Sequence, residues 1–234
     1  MIRNLLLAAA TASALAGGGV LAIDTASNAQ GTETALAPER IVIGLDLSRS
    51  NPLIADPAFA SRVAARVAGI VRKLGFASEV HVRTFGNYDA TSNNFAYDAV
   101  LSVRRRPANV AADIERLIAG TPLLVKSGRF HAQENTNILA FLDNVSQSIG
   151  CAGMPTTIVL ASDGIEDSDY ARLTRADSHL PPPEGRPFKG CAEMEILGLG
   201  EGTRSPRITT HLRAEWSDWA RSAGFARFQG LNDW

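Results

Sequence analysis

Five oxygen-bearing side chains in this sequence stand where apolar runs end or a helix should start. Asp46, Ser48 and Ser50 fall in the run Asp46-Leu47-Ser48-Arg49-Ser50, Thr136 in Glu134-Asn135-Thr136-Asn137, and Asp163 in Ser162-Asp163-Gly164. Together they offer two carboxylates and three hydroxyls, a hard-oxygen donor set. Such a set suits Mg²⁺ or Mn²⁺ and not zinc, which takes imidazole or thiolate ligands. The chemistry expected of these residues is divalent-cation binding.

Side chains so far apart along the chain meet only if secondary structure delivers them. Ile41 to Leu45 is an apolar run of the kind found in strands buried on both faces of a parallel sheet, and it ends at Asp46. Thr157 to Ala161 is a second such run, ending at Ser162-Asp163. Both put a carboxylate at the carboxyl end of a strand, where open α/β sheets bind their ligands. Thr136-Asn137 precedes Ile138, Phe141, Leu142, Val145 and Ile149, which share one helical face before Gly150. Thr136 therefore stands at a helix start, and the plainer reading makes it an N-cap. After Asp163, the acids Glu166, Asp167 and Asp169 read either as an outer shell for a cation or as the acidic first turn of a helix.

The remaining elements follow from periodicity and punctuation. Asp56-Pro57 is an N-cap with proline at the first helical position, and Phe59, Val63, Val67, Ile70, Val71 and Leu74 repeat at helical spacing until Gly75 stops the helix. Glu79 to Phe85 alternates as a strand nearer an edge does, with Phe95 to Val103 its hairpin partner across the Gly86–Asn94 connection. Arg104-Arg105-Arg106 reads first as a solvated strand end and secondly as a patch for an anionic partner. Pro107 opens a helix on Val110, Ile114, Leu117 and Ile118, whereas Leu123 to Arg129 is ambiguous. Leu180 to Pro187 is a stiff proline-rich loop leading to a strand at Glu193 to Leu199. A final helix spans Ile208 to Ala223, and a last short strand Phe225 to Phe228. The glycines around Gly198-Leu199-Gly200 lack the spacing of a dinucleotide fingerprint and read as a turn. Strands alternating with helices imply an α/β fold, a mostly parallel sheet covered on both faces with the antiparallel hairpin at one edge.

With 234 residues, 45% hydrophobic and 20% charged, the chain has room for one sizeable core. Lys plus Arg number 23 against 24 Asp plus Glu, a net charge of -1, so no overall field recruits nucleic acid or an anionic membrane. Residues 1–29 read as an export signal: Arg3, an apolar core from Leu5 to Ala16, a glycine break at Gly17 to Gly19, and cleavage after Ala29 in Ser27-Asn28-Ala29. The alternative is an uncleaved anchor, because Leu5 to Ile23 is apolar and nearly long enough to span a bilayer. Residues 30–38 form a linker and 39–234 the folded domain. Cys151 and Cys191, an even pair in an exported chain and not a CxxC motif, are expected to form a disulfide at the amino edge of the sheet, opposite the proposed site. Two buried free thiols are the alternative. The expected compartment is periplasmic or extracellular.

Asp46-Leu47-Ser48-Arg49-Ser50, then Asn135-Thr136-Asn137 at a helix start, then Ser162-Asp163-Gly164 after an apolar strand, resembles a von Willebrand factor type A (vWA) domain with its metal-ion-dependent adhesion site. The resemblance covers Glu39 to Gly230. It implies a Rossmann-like three-layer sandwich, a mostly parallel six-stranded sheet with one antiparallel edge strand and helices on both faces. It places Asp46, Ser48, Ser50, Thr136 and Asp163 around Mg²⁺ or Mn²⁺, with an Asp or Glu carboxylate of a partner protein completing the coordination. It also implies a binding role with no catalysis, and mobility of the Ile208–Ala223 helix. A metal-assisted hydrolase using the same oxygens is the competing function, although His81, His131, His179 and His211 are scattered and no HExxH or GxSxG occurs. A structural domain with a vestigial site is the third. Arg49 stands where the family often has glycine, so its guanidinium either reaches into the oxygen cluster or points to solvent, and Asn51-Pro52 is an unusual sequel to the motif.

Overall fold

In chain order the elements are β1 (Arg40–Asp46), a short 3-10 turn (Pro52–Ile54), α1 (Pro57–Val71), β2 (Glu79–Phe85), β3 (Ala96–Val100), α2 (Pro107–Ala119), α3 (Thr121–Lys126), α4 (Ile138–Ser148), β4 (Thr156–Ala161), β5 (Glu193–Leu197), α5 (Pro206–Ala223) and β6 (Arg227–Leu231). The computed structural model describes residues 36–87, 95–175, 177–203 and 205–234. The expected leader, most of the linker and residues 88–94 of the Gly86–Asn94 connection fall outside them.

The strands form one sheet in the order β3-β2-β1-β4-β5-β6. All neighbours are parallel except β2 and β3, whose antiparallel ladder sets His81 opposite Asp98 at one edge. This is the doubly wound order, in which connections leave in opposite directions from β1 and β4 and open a crevice beyond their carboxyl ends. β1 sits at the centre with Ile41, Val42, Ile43 and Leu45 all buried, as its apolar run requires.

Two cores lie on opposite faces of the sheet. Ile41, Ile43 and Leu45 meet α1 and α2 through Phe59, Val63, Val67 and Ile114 on one side. Val42, Ile158, Leu160 and Ile196 meet α4 and α5 through Phe141, Leu142, Leu212 and Trp216 on the other. Gly44 is what lets α4 come close: a Cβ there would stand 2.8 Å from the Phe141 ring and 2.9 Å from Leu160. The three-layer α/β sandwich with one antiparallel edge strand is the architecture expected from the alternation of elements.

Several boundaries move. α1 ends at Val71, before Gly75, because the chain must turn to let Gly75 pass against the Leu36 backbone, 2.6 Å from where a Cβ would lie. The last strand runs Arg227–Leu231, later than expected, since Phe225 belongs to the buried turn after α5 and Gly230 hides the strand's end from a pattern search. Leu123 to Arg129 resolves partly into the short helix α3. Cys151 and Cys191 form a disulfide with Cα atoms 5.1 Å apart, just ahead of the neighbouring strands β4 and β5 and thus at the amino edge. Among the described residues no helix is long and apolar enough to cross a membrane.

Candidate metal site at the carboxyl ends of β1 and β4

Asp46 is the last residue of β1 and is fully buried. Its Oδ1 accepts the backbone N–H of Ser48 at 2.8 Å, and its Oδ2 accepts the Ser162 hydroxyl at 2.7 Å. The first bond folds the chain back over the carboxylate, and the second crosses from β1 to β4. The hydroxyls of Ser48 and Ser50 lie 3.3 Å apart, and the Ser50 hydroxyl favours the ionised form of the Asp163 carboxyl. Asp163 Oδ1 also accepts the N–H of Ile165 at 2.9 Å. Asp46, Ser48 and Ser50 thus share one hydrogen-bonded network that Ser162 extends onto β4, with Ser50 at its exposed mouth and Asp46, Ser48 and Asp163 buried.

Thr136 is tied by its backbone to the loop after β4. Its N–H donates to Asp167 O at 3.1 Å and its carbonyl accepts the Asp167 N–H at 2.9 Å, which ties the start of α4 to the loop after β4. Three residues earlier, Gln133 N–H donates to Leu47 O (2.8 Å) and Gln133 O accepts from Arg49 N–H (2.9 Å), tying the same segment to the loop after β1. The segment 133–137 is therefore stitched to both carboxylate-bearing loops. Asn137, and not Thr136, caps α4: its side-chain oxygen accepts the Ala140 N–H at 3.1 Å. The plainer reading of Thr136 as the cap fails by one residue, and Thr136 is left buried at 2% exposure.

The acids after Asp163 do not open a helix of their own. Glu166, fully buried, instead turns its Oε2 onto the N-terminus of α4, accepting from Ile138 N–H at 2.8 Å and Leu139 N–H at 3.2 Å, while Ser168 donates to its other oxygen. A carboxylate at a helix N-terminus satisfies orphan amides and favours the macrodipole. Sequence reasoning missed this role because the amides lie 28 and 27 residues upstream.

Asn51 was also missed as a positioning residue. Buried behind the cluster, its Nδ2 donates to Asp46 O at 2.8 Å and Ala161 O at 2.9 Å, clamping the ends of β1 and β4 together, while its Oδ1 accepts from Leu53 N–H to start the 3-10 turn. The signal available was Asn51-Pro52, a polar cap before a proline. Arg49 faces away from the oxygens: its guanidinium pairs with Glu134 at 2.8 Å, both side chains 64% exposed. The glycine turn beyond β5 braces the far side, with Gly198 at φ 107°, a region that favours glycine, and Gly200 N–H donating to Asp163 O at 2.7 Å.

The electrostatics follow from burying two carboxylates at neighbouring strand ends. Burial, and then the charge of Asp163, push the Asp46 carboxyl up to about 7 against the pull of the Ser162 and Ser48 bonds. Burial likewise raises Asp163 to about 6, opposed by the Ile165 amide and the Ser50 hydroxyl. Burial raises Glu166 to about 7, against its bonds from Ser168 and the α4 amides. Among the described residues no three His, Cys, Asp or Glu converge, so a cation here would rest on two carboxylates supplemented by hydroxyls. That donor set fits a hard divalent ion that keeps several waters.

No family model matches this sequence, and no curated protein matches it. Among solved structures, the chain is similar to the pilus adhesin SpaC from Lactobacillus rhamnosus GG, with 15% identity over 86% of this chain and 29% of that one and a TM-score of 0.46. It is also similar to the human COPII-coat protein Sec24c, with 10% identity over 85% of this chain and 30% of that one and a TM-score of 0.38. The chain spans less than a third of the length of either.

Proposed function

We propose that this protein is an exported interaction module of the vWA type, in which Asp46, Ser48, Ser50, Thr136 and Asp163 hold Mg²⁺ or Mn²⁺ and an Asp or Glu carboxylate of a partner protein binds at the ion. The observation that carries this reading is that Asp46 and Asp163 lie buried at the carboxyl ends of adjacent parallel strands, with Ser48 and Ser50 bonded beside Asp46 and Ser162 joining β4 to it. Two desolvated carboxylates this close repel when ionised, and a divalent cation offsets that repulsion. When bound, the ion supplies an electrophilic position that a partner's carboxylate fills, because hydroxyls provide much of the ligation and leave its charge under-neutralised. The turn of Arg49 toward Glu134 supports an intact site over a vestigial one, since the guanidinium does not occupy the cation's place. The disulfide is in keeping with an oxidising compartment outside the cytoplasm.

Thermal unfolding with and without millimolar Mg²⁺ or Mn²⁺ tests the metal. The melting temperature of the unmodified protein is expected to rise with metal, and Asp46→Ala is expected to remove that response. Equal melting temperatures with metal and with EDTA would sink the proposal. Binding in place of catalysis is tested separately by assaying ester and phosphoester hydrolysis with Mg²⁺, where turnover abolished by Asp163→Ala would replace the adhesion reading with a hydrolase.

A further inference from the structure

The pole of the sheet opposite the candidate site carries a surface of its own. Three segments adjoin there. Gly75 packs on Leu36, Ala77 N–H donates to Leu101 O at 2.8 Å, and Leu101 N–H donates to Ser78 O at 2.8 Å. Of the large apolar side chains exposed among the described residues, Leu36 (64%), Phe76 (55%), Val100 and Val103 (70%) fall on these segments. The same segments carry exposed Lys73, Arg104, Arg105 and Arg106, with Glu39 at the rim. Arg105 donates to the Asp98 carbonyl and Arg106 to the Val103 carbonyl, bonds that leave their positive charge unneutralised.

Apolar side chains standing beside a cluster of cations match the boundary of an anionic bilayer, where rings and branched chains enter the headgroup layer and Lys and Arg meet lipid phosphates. Four of the exposed large apolar side chains and four cations on adjoining segments give one face both an apolar and a positive character, which a bilayer boundary receives together and an acidic protein surface matches only in charge. We infer that this amino pole docks peripherally on an anionic lipid surface through Leu36, Phe76 and Val103 with Lys73, Arg104 and Arg106. The net charge of -1 does not oppose this, because the attraction is local and decays within a Debye length. Since β1 runs from this pole to Asp46 over about 20 Å, docking here turns the oxygen cluster away from the bilayer toward a partner. The inference does not depend on metal binding.

The test is hydrogen exchange on the full chain with vesicles of phosphatidylcholine, with and without phosphatidylglycerol. Segments 72–78 and 100–106 are expected to exchange about 10-fold more slowly when phosphatidylglycerol is present, whether or not EDTA is added. Arg104→Glu with Arg106→Glu should abolish that slowing. These side chains are exposed, and an acid at position 106 stands favourably at the N-terminus of α2, so the fold should survive. Phe76→Ser with Val103→Ser should abolish it independently. The inference is overturned if exchange is the same on both vesicles, if the charge reversal leaves the slowing intact, or if an acidic protein slows these segments while vesicles do not.

Discussion

Asn51 shows how much of the candidate site depends on a residue that would never touch the ion. Its amide holds the carbonyls at the ends of β1 and β4 and its oxygen starts the following turn, so three bonds converge on one buried side chain. Asn51→Ala is expected to destabilise the protein by about 1–3 kcal/mol, since buried partners lose their donor or acceptor. Asn51→Asp should be at least as damaging despite its equal size, because a carboxylate cannot donate and its charge would face Asp46. Denaturant unfolding measures both, and an Asn51→Asp midpoint equal to the unmodified protein's would remove the clamp from the account. Ser162 belongs to the same lesson. Its hydroxyl bridges Asp46 Oδ2 and the Gly164 N–H (3.0 Å), yet locally it is only one more hydroxyl at a strand end.

Among the elements, α4 depends most on its surroundings. Its first turn has no acidic residue of its own and receives Glu166 from the loop after β4. Glu166→Ala is expected to cost about 1–3 kcal/mol, combining a lost cap with amides stranded in a dry setting. Glu166→Gln, which keeps an acceptor oxygen, should cost clearly less. If the two variants unfold at the same denaturant concentration, Glu166 is not the cap. Because Thr136 immediately precedes this helix, Glu166→Ala should also weaken the melting response to Mg²⁺, a coupling checked in the same titration. Elsewhere the periodicity of α1 and α2 located their buried stripes, Phe59-Val63-Val67 and Val110-Ile114-Ile118, because each helix packs one face on the sheet. It misplaced β6 and the acids after Asp163, where long-range contacts outweigh local preference.

For the whole molecule, the raised carboxylates set a pH dependence whose sign can be worked out. Asp46, Asp163 and Glu166 bind protons more tightly when folded than their ordinary values of 3.8, 3.8 and 4.5 allow, with folded values of about 7, 6 and 7. Between those limits the folded state holds protons that the unfolded chain has released, so these groups make stability fall as pH rises through the window. Glu79, lowered chiefly by its bond from Arg40, and Asp98, lowered chiefly by Arg83, act with the opposite sign. Their contribution is present above the ordinary carboxylate value and is lost only in more acidic solution. In EDTA the melting temperature is therefore expected to drop from about pH 5 to about pH 8, and Mg²⁺ should reduce the drop by stabilising the ionised carboxylates. A metal-free protein that grows more stable across this range would contradict the burial of the pair.

The sequence by itself determined the alternation of strands and helices, the central placement of β1, the two carboxylates at strand ends and the cysteine pair. These are local consequences of apolar periodicity and of residue chemistry that needs no partner to be read. Only the tertiary structure decided that Ser162 bonds Asp46 from β4 to β1, that Arg49 turns outward to Glu134, that Asn137 and a distant Glu166 cap α4, and that Asn51 locks β1 to β4. Apart from the Asn137 cap, whose bond reaches only three residues to Ala140, each of those depends on the direction of a side chain relative to segments tens of residues away, and that direction exists only once two packed cores fix the strands in register.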